Sequence, residues 1–485
     1  MITVQLNRAD FEYDIYSLVK AFFPAEDIVV GTEKKETKEE ISLFIITNYL
    51  KHSIEIFLFE PESEKTPKVQ LAVEADFSNR QQTKNSLKQA YYQMLSGYTK
   101  KTLPWGTLTG IRPIKIPMAL LEEGREETFI KRYMKENYFV SDEKMELSID
   151  VAKREFSLLQ QLDYENGYSL YIGIPFCPST CLYCSFTSYP LSMWESRIDE
   201  YLDALELELD FAAGQFWDKY LNTVYIGGGT PTTLNPRQLR RLIQMIQSNF
   251  DLTHCLEFTV EAGRPDSITK EKLAVLKELG VSRISINPQT MKEETLRIIG
   301  RRHTAEQTVE CFFLARELGF DNINMDLIVG LPNESLQDVE ATLQRIMELN
   351  PDNLTVHSLA LKRAARLNMF REEYQNLTFE NTEHTIALTA DYAKRMDMEP
   401  YYLYRQKNMA GNFENVGYAK KGKAGIYNVL IMEEKQTIIA CGAGSISKRI
   451  YPDGKIKRCD NVKDVAQYIA RIDEMIERKW KLLED

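Results

Sequence analysis

The sequence contains no run approaching the roughly 18 apolar residues that a helical membrane span needs, so no membrane span is expected in it. It also lacks a basic excess. Its 60 Lys and Arg face 71 Asp and Glu, a formal net charge of −11, the wrong sign for tracking a phosphate backbone. No nucleic-acid partner is expected. Cysteines number only seven, an odd count with three of them clustered, which does not suit a disulfide framework and fits a reducing compartment. The first residues, Met1 to Asp14, carry acids and no apolar core, unlike a secretory signal. These absences together predict a cytoplasmic protein. No internal repeat or low-complexity tract appears in the 485 residues, a length that suggests two to four domains.

What the sequence does have is concentrated around Cys177, Cys181 and Cys184, in the run Gly173-Ile174-Pro175-Phe176-Cys177-Pro178-Ser179-Thr180-Cys181-Leu182-Tyr183-Cys184. The spacing opens a loop straight after a predicted strand. Structural zinc sites take four protein ligands, and a complete iron–sulfur cluster usually takes four thiolates. Three thiolates with no fourth Cys or His nearby suit a 4Fe-4S cluster with one iron left open. That iron is where a reaction can happen. Such a cluster is oxygen-sensitive, so an anaerobic setting is expected.

Hydrophobic periodicity predicts an α/β protein. Strands are expected at 168–174, 223–226, 256–261, 283–287, 322–329 and 353–357, separated by helices at 195–216, 236–249, 270–279, 305–318 and 335–349. Six β/α units over so short a span fit a partial (β/α)6 TIM-like barrel better than a full eightfold one, which takes about 250 residues. The gap in an open barrel suits a large substrate. Residues 1–80 are expected to form a small α+β domain, 81–165 a helical linker region, 166–377 the partial barrel and 378–485 a C-terminal mixed domain covering the substrate.

Barrel enzymes place their chemistry at the C-terminal ends of strands. There the sequence offers Gly227-Gly228-Gly229-Thr230-Pro231-Thr232, whose glycines let backbone groups approach a ligand closely. The next strands end in Glu261, in Asn287-Pro288-Gln289 followed by Arg301-Arg302-His303, and in Asp326 within Asn324-Met325-Asp326-Leu327-Ile328-Val329-Gly330-Leu331-Pro332. A carboxylate in an apolar strand is costly without a partner, so Glu261 and Asp326 are expected to face a ligand.

The cysteine spacing resembles that of the radical S-adenosylmethionine superfamily. The whole set, over about residues 166–450, is similar to the oxygen-independent coproporphyrinogen III oxidase family (HemN/HemW-like). The turn from Leu103 to Pro113 and the stretch from Arg405 to Tyr418 resemble its HemZ branch, which carries an extra N-terminal region. The resemblance implies a barrel of the radical S-adenosylmethionine type, a 4Fe-4S cluster on Cys177, Cys181 and Cys184, and one or two molecules of S-adenosyl-L-methionine. Tyr171, Gly228, Glu261, Ala360 and Ile446 would belong to a first S-adenosylmethionine site. Tyr183, Gly229, Thr230, Gln289, Arg301 and Asp326 would belong to a second, with Arg301 and Asp326 serving that ligand or the substrate and not the cluster. A positive φ is also expected at Gly229.

The implied reaction converts propionates of coproporphyrinogen III to vinyl groups, giving protoporphyrinogen IX in anaerobic haem biosynthesis. Its implied partners are coproporphyrinogen III or a related tetrapyrrole and a low-potential electron donor such as ferredoxin or flavodoxin. Two departures bear on the substrate. The best-understood oxidases of the family carry a further cysteine after the triplet, where this chain has Ser185-Phe186. The haem-chaperone branch carries a His-Asn pair where this chain has Tyr427-Asn428. The alternatives are a haem-modifying methyltransferase or ring-opening enzyme and a haem-binding chaperone. Lys362, Arg363 and Arg366, with Arg405 and Lys407, are candidates for propionate binding or, equally, a solvated basic face. His303 and His357 fit polar core positions, and the remaining four cysteines fit isolated thiols.

Overall fold

A computed structural model describes residues 1–33, 41–61, 66–186, 188–360, 365, 376–406 and 413–484. The chain forms two compact units, Met1–Lys153 and Arg154–Asp485.

In the first unit, strands β1 (Ile2–Leu6), β2 (Ile28–Gly31), β3 (Leu43–Tyr49), β4 (Ser53–Phe59) and β5 (Val69–Glu74) form a sheet of order β2-β1-β3-β4-β5. β1 runs parallel to β2 and β3, and the remaining pairs are antiparallel. Alternate residues of β3 and β4 face inward, among them Ile45, Ile54, Ile56 and Leu58, as period-two patterning requires. Helix α1 (Glu12–Phe22) adds Leu18 and Phe22 to that core, and α2 (Arg80–Thr99) adds Leu87, Tyr91 and Leu95. The unit continues through α3 (Lys115–Glu122) and α4 (Glu127–Tyr138) into α5 (Asp142–Leu159), within which the division falls.

The second unit is built on one sheet of eleven strands. The six predicted strands are all present: β6 (Gly167–Ile174), then, after the short pair β7 (Phe176–Cys177) and β8 (Tyr189–Pro190), β9 (Tyr220–Gly228), β10 (Glu257–Glu261), β11 (Arg283–Ser285), β12 (Ile323–Val329) and β13 (Asn353–Ser358). They lie side by side in chain order and pair in parallel. Their residues are buried almost without alternation, as in a sheet covered on both faces. The helices between them are α6 (Ile198–Gln215), α7 (Pro236–Asn249), α8 (Lys270–Glu278), α9 (Glu293–Ile298), α10 (Ala305–Glu317) and α11 (Leu336–Leu349). Capping boxes at Asn235/Gln238, Thr304/Gln307 and Ser335/Asp338 start α7, α10 and α11, each satisfying two orphan donors.

The chain then forms α12 (Glu383–Arg395), β14 (Glu399–Tyr404), β15 (Asn415–Ala419), α13 (Ile426–Glu433), β16 (Thr437–Cys441), β17 (Ile446–Ile450), β18 (Ile456–Asp460), α14 (Val465–Ala470) and α15 (Ile472–Glu484). These strands extend the same sheet at both margins. β16 pairs in parallel with β6, a seventh parallel strand the sequence reading did not identify, and β15 pairs antiparallel with β13. The two ends of the parallel array thus have different neighbours, so the barrel is partial. Among the described residues no helix is long and apolar enough to cross a membrane.

Two buried carboxylates fix the C-terminal segment, one to the sheet and one to helix α6. Glu257 of β10 accepts the Ile426 N–H at 2.6 Å, placing an anion at the start of α13, where the helix dipole favours it. Glu208 of α6 accepts the Gly442 N–H at 2.7 Å and an Asn461 N–H at 2.7 Å, and pairs with the ammonium of Lys479.

Candidate active site

The cysteine loop leaves the C-terminal end of β6 and is clamped by the glycine turn that ends β9. The Gly229 N–H donates to Ile174 O at 2.8 Å and the Thr230 N–H to Phe176 O at 2.7 Å. A Cβ on Gly229 would lie 2.7 Å from Phe176 O, so no side chain fits without moving the strand that carries Cys177. The positive φ expected at Gly229 belongs instead to Gly228, at +103°. Gly229 is required for close approach between backbones, not for its dihedral. On the other side of the loop, the Leu182 N–H donates to Ile299 O at 2.9 Å and the Ser179 hydroxyl to Gly300 O at 2.8 Å. The short helix α9, which the sequence reading missed, therefore braces the loop.

Cys177 and Cys184 are partly exposed and Cys181 is buried. Thr230 Oγ1 donates to Cys177 Sγ at 3.4 Å. Burial pushes the Cys177 thiol up to about 11, against that hydrogen bond, and also raises Cys184. A soft cation that binds these thiols has to displace their protons, since the thiolate is the metal ligand. Among the described residues no three His, Cys, Asp or Glu side chains converge on a single ion. The Thr230 hydroxyl places a donor at one of the three sulfurs. The donor set fits a three-thiolate 4Fe-4S cluster.

Beyond the loop, Glu261 ends β10 and accepts the Tyr225 hydroxyl at 2.6 Å. Burial raises its carboxyl to about 7, in spite of that bond, and the nearby charge of Asp326 adds to the rise. Tyr225 stacks on Tyr427 with ring centroids 4.5 Å apart, and Tyr171 lies 6.1 Å from Tyr225. A Cβ on Gly227 would lie 2.9 Å from Glu261 Cδ, so this glycine makes room for the carboxylate. Asp326, on β12, accepts from Asn324 Nδ2 at 2.7 Å and faces His357 Nε2 at 3.8 Å. Burial opposes its ionisation, yet His357, Asn324 and Arg283 together hold it below the ordinary carboxylate range. Gln289 sits at φ +66°, bridges to β12 through its backbone, and has a buried Oε1 without a partner.

Arg301 follows α9 and turns inward. Its guanidinium is buried and donates to Asn287 O at 2.6 Å, Gly263 O at 3.3 Å and the Tyr183 hydroxyl at 3.4 Å. Tyr183 and Cys181 both favour its charged form. Arg301 therefore lies against the cysteine loop, beside Tyr183 and Cys181. The reason is Gly300, whose φ of +78° ends α9 and turns the next residue inward. His303 beside it is buried, with both ring nitrogens unpartnered. Burial and the Arg301 charge lower it to about 3.

Ala360 lies two residues past β13, partly exposed, and Ile446 opens β17 at 48% exposure. No hydrogen bond among the described residues joins either to the carboxylates or the thiols. Arg405 is buried and not a solvated basic group, and burial lowers it to about 10. Lys362, Arg363, Arg366 and Lys407 lie outside the described residues.

Three residues at the site escaped the sequence reading. Tyr225 lies two positions before the glycine run. Tyr427 falls in a stretch read only for its missing histidine. Arg264 follows Glu261 by three residues and donates to Cys181 Sγ at 3.5 Å. A basic residue just past a strand-end acid was the signal available for it.

Residues 171–346 match the Radical SAM superfamily. The oxygen-independent coproporphyrinogen-III oxidase-like protein HemZ of Bacillus subtilis is 41% identical over 409 residues, covering 83% of this chain and 81% of that protein. The heme chaperone HemW of the same organism is 40% identical over 198 residues, 40% of this chain and 51% of its own. The coproporphyrinogen III oxidase HemN of Escherichia coli, a radical SAM enzyme of known structure, matches with TM-score 0.53 and 25% identity, covering 66% of this chain and 72% of that one. Proteins of this superfamily use a 4Fe-4S cluster and S-adenosylmethionine. With its three thiols clamped at the end of the first barrel strand, the chain belongs to the radical S-adenosylmethionine superfamily and, within it, to the oxygen-independent coproporphyrinogen-III oxidase-like family.

Proposed function

We propose that the protein is an oxygen-independent coproporphyrinogen III dehydrogenase, which oxidatively decarboxylates propionate side chains to vinyl groups. The observation that carries this reading is that Cys177, Cys181 and Cys184 follow the C-terminal end of β6 and Glu261 ends β10, with Asp326 midway along β12 of the same parallel array. When bound, the cluster and S-adenosylmethionine supply a 5′-deoxyadenosyl radical. The chain's residues do the rest. Cys177, Cys181 and Cys184 would hold the cluster, and Thr230 would steady the Cys177 thiolate. Ionised Glu261 accepts from a ligand amine or hydroxyl while Tyr225 holds its other oxygen edge. Asp326, ionised throughout the neutral range, accepts from hydroxyl donors. The tyrosines 171, 225 and 427 form an aromatic wall that excludes water from the reacting end of the barrel.

In the net reaction the 5′-deoxyadenosyl group would take a hydrogen atom from the propionate β-carbon, and the carboxylate would depart as carbon dioxide. One electron passes to a one-electron acceptor, leaving the vinyl. A low-potential donor of the ferredoxin or flavodoxin class provides the initiating electron. The haem-chaperone reading has less support, since Tyr427 is committed to the stack and Asn428 Nδ2 donates to the Tyr401 hydroxyl at 3.0 Å.

The test is anaerobic incubation of reduced, reconstituted protein with S-adenosylmethionine and coproporphyrinogen III, following carbon dioxide and vinyl products. Carbon dioxide released with vinyl porphyrinogen is the expected result. Cleavage of S-adenosylmethionine with the porphyrinogen returned unchanged would overturn the substrate assignment. Tight retention of haem without turnover would favour the chaperone.

A further inference from the structure

Arg264 stands just past the end of β10 and is 3% exposed. Its guanidinium makes five hydrogen bonds. Nε and Nη2 hold the Asp266 carboxylate as a fork, at 3.0 and 2.7 Å. Nη1 donates to Ser179 O at 3.2 Å and Nη2 to Ser179 Oγ at 3.0 Å. The fifth bond runs from Nη1 to Cys181 Sγ at 3.5 Å. A planar fork with so many fixed partners has one orientation, and here that orientation aims an N–H at a cluster thiol.

The charges beneath the loop are unbalanced. Arg264 and Arg301 bring two guanidiniums to Cys181, and Asp266 supplies one carboxylate. Tyr183 and His303, the titratable neighbours of Arg301, are both kept neutral, chiefly by burial. One positive charge is left in surplus, in a region from which water is largely excluded. Hydrogen bonds to the sulfurs and local net charge are among the levers that set an iron–sulfur potential.

We infer that Arg264 tunes the reduction potential of the cluster on Cys177, Cys181 and Cys184, favouring the reduced state through its charge and its N–H bond to Cys181. Reduction adds one electron from a low-potential one-electron donor, and the surplus guanidinium charge offsets the negative charge that arrives. Arg264 touches a ligand sulfur and has its other N–H groups committed to Ser179 and Asp266, so it acts as a tuning residue. The inference rests on the cluster assignment, which iron and sulfide content tests separately.

The experiment is a redox titration of the full-length, anaerobically reconstituted protein without S-adenosylmethionine or substrate. Dithionite serves as reductant and the reduced cluster is read by its paramagnetic signal. Arg264→Gln is expected to lower the ratio of reduced to oxidised cluster at a fixed potential about tenfold, a shift of about 59 mV for one electron. Asp266→Asn removes the compensating acid and is expected to raise the ratio. Arg264→Lys, which keeps charge but loses the fork, should fall between wild type and Arg264→Gln. Simple damage to the loop would move Arg264→Gln and Asp266→Asn in the same direction, and that result overturns the inference. So does an unchanged ratio in both at wild-type iron content. If Arg264→Gln takes up no iron, Asp266→Asn decides, since an unchanged or lowered ratio there rejects the role. A wild-type protein that binds no iron would instead refute the cluster assignment.

Discussion

The Thr230 backbone N–H donates to Phe176 O at 2.7 Å, so the turn after β9 and the strand carrying Cys177 are one hydrogen-bonded unit. Ligand turn and cluster loop cannot be altered independently at this point.

Gly229→Val is therefore expected to lose iron as well as S-adenosylmethionine binding. Its branched side chain would start 2.7 Å from Phe176 O, far inside contact distance, and the cysteine strand has to move. Iron and sulfide content of the reconstituted variant measures this directly. A full cluster with normal S-adenosylmethionine affinity would show that the backbones separate at little cost.

Cys181→Ala should leave the chain largely without its cluster. Cys181 is the buried member of the triad and receives the Arg264 N–H, and two remaining thiolates are too few to hold the cubane in place. Absorbance and sulfide analysis after anaerobic reconstitution decide it, and wild-type sulfide in the variant would refute the assignment.

A stability prediction concerns Glu208 and Lys479, both essentially unexposed. Removing one partner of a buried ion pair commonly costs about 3–5 kcal/mol, because the other charge is left uncompensated. Glu208 also accepts from Gly442, Tyr468 and Asn461, so Lys479→Met is the cleaner change and should fall in that range. Urea unfolding followed by fluorescence measures it, and a loss below about 1 kcal/mol would mean that the pair is relieved by relaxation or water.

Much of the fold was legible because its signals are local. Asn235, Pro236 and Gln238 announce the start of α7, and the apolar run from Gly167 to Ile174 announces a strand buried on both faces. The cysteine spacing likewise needs no tertiary knowledge. What escaped depends on partners distant in sequence. β16 looks like any short apolar stretch until Thr437 is placed beside Tyr168. Arg264 gains meaning only from Ser179 and Cys181, and Arg301 from the turn at Gly300. Three consecutive glycines carry no local mark of which one takes the positive φ.

Glu261 at the end of β10 and Asp326 midway along β12 should be separable by their acid–base behaviour. Their environments push them apart, Glu261 up to about 7 by burial and Asp326 below its ordinary range through His357, Asn324 and Arg283. Such divergence is the usual way one site assigns two roles to the same functional group. Below about pH 7 Glu261 is protonated and has lost acceptor capacity for a ligand amine; above it the carboxylate is restored. S-adenosylmethionine affinity should therefore rise with pH through this region, while Asp326 stays ionised on both sides of it. Tyr225→Phe removes a donor that favours the ionised form, so the midpoint should move to higher pH. Glu261→Gln should weaken binding by about tenfold or more, the worth of a hydrogen bond to a charged group at about 1.5–3 kcal/mol, and should abolish the pH dependence. Asp326→Asn should lower turnover with the cluster spectrum unchanged and, by removing a charge that raises Glu261, move that acid limb to lower pH. Anaerobic titration calorimetry between pH 6 and 8.5 on the three variants supplies the comparison. An acid limb that survives in Glu261→Gln would show that another group titrates, and Glu261 would then be a neutral hydrogen-bonding residue of the barrel wall.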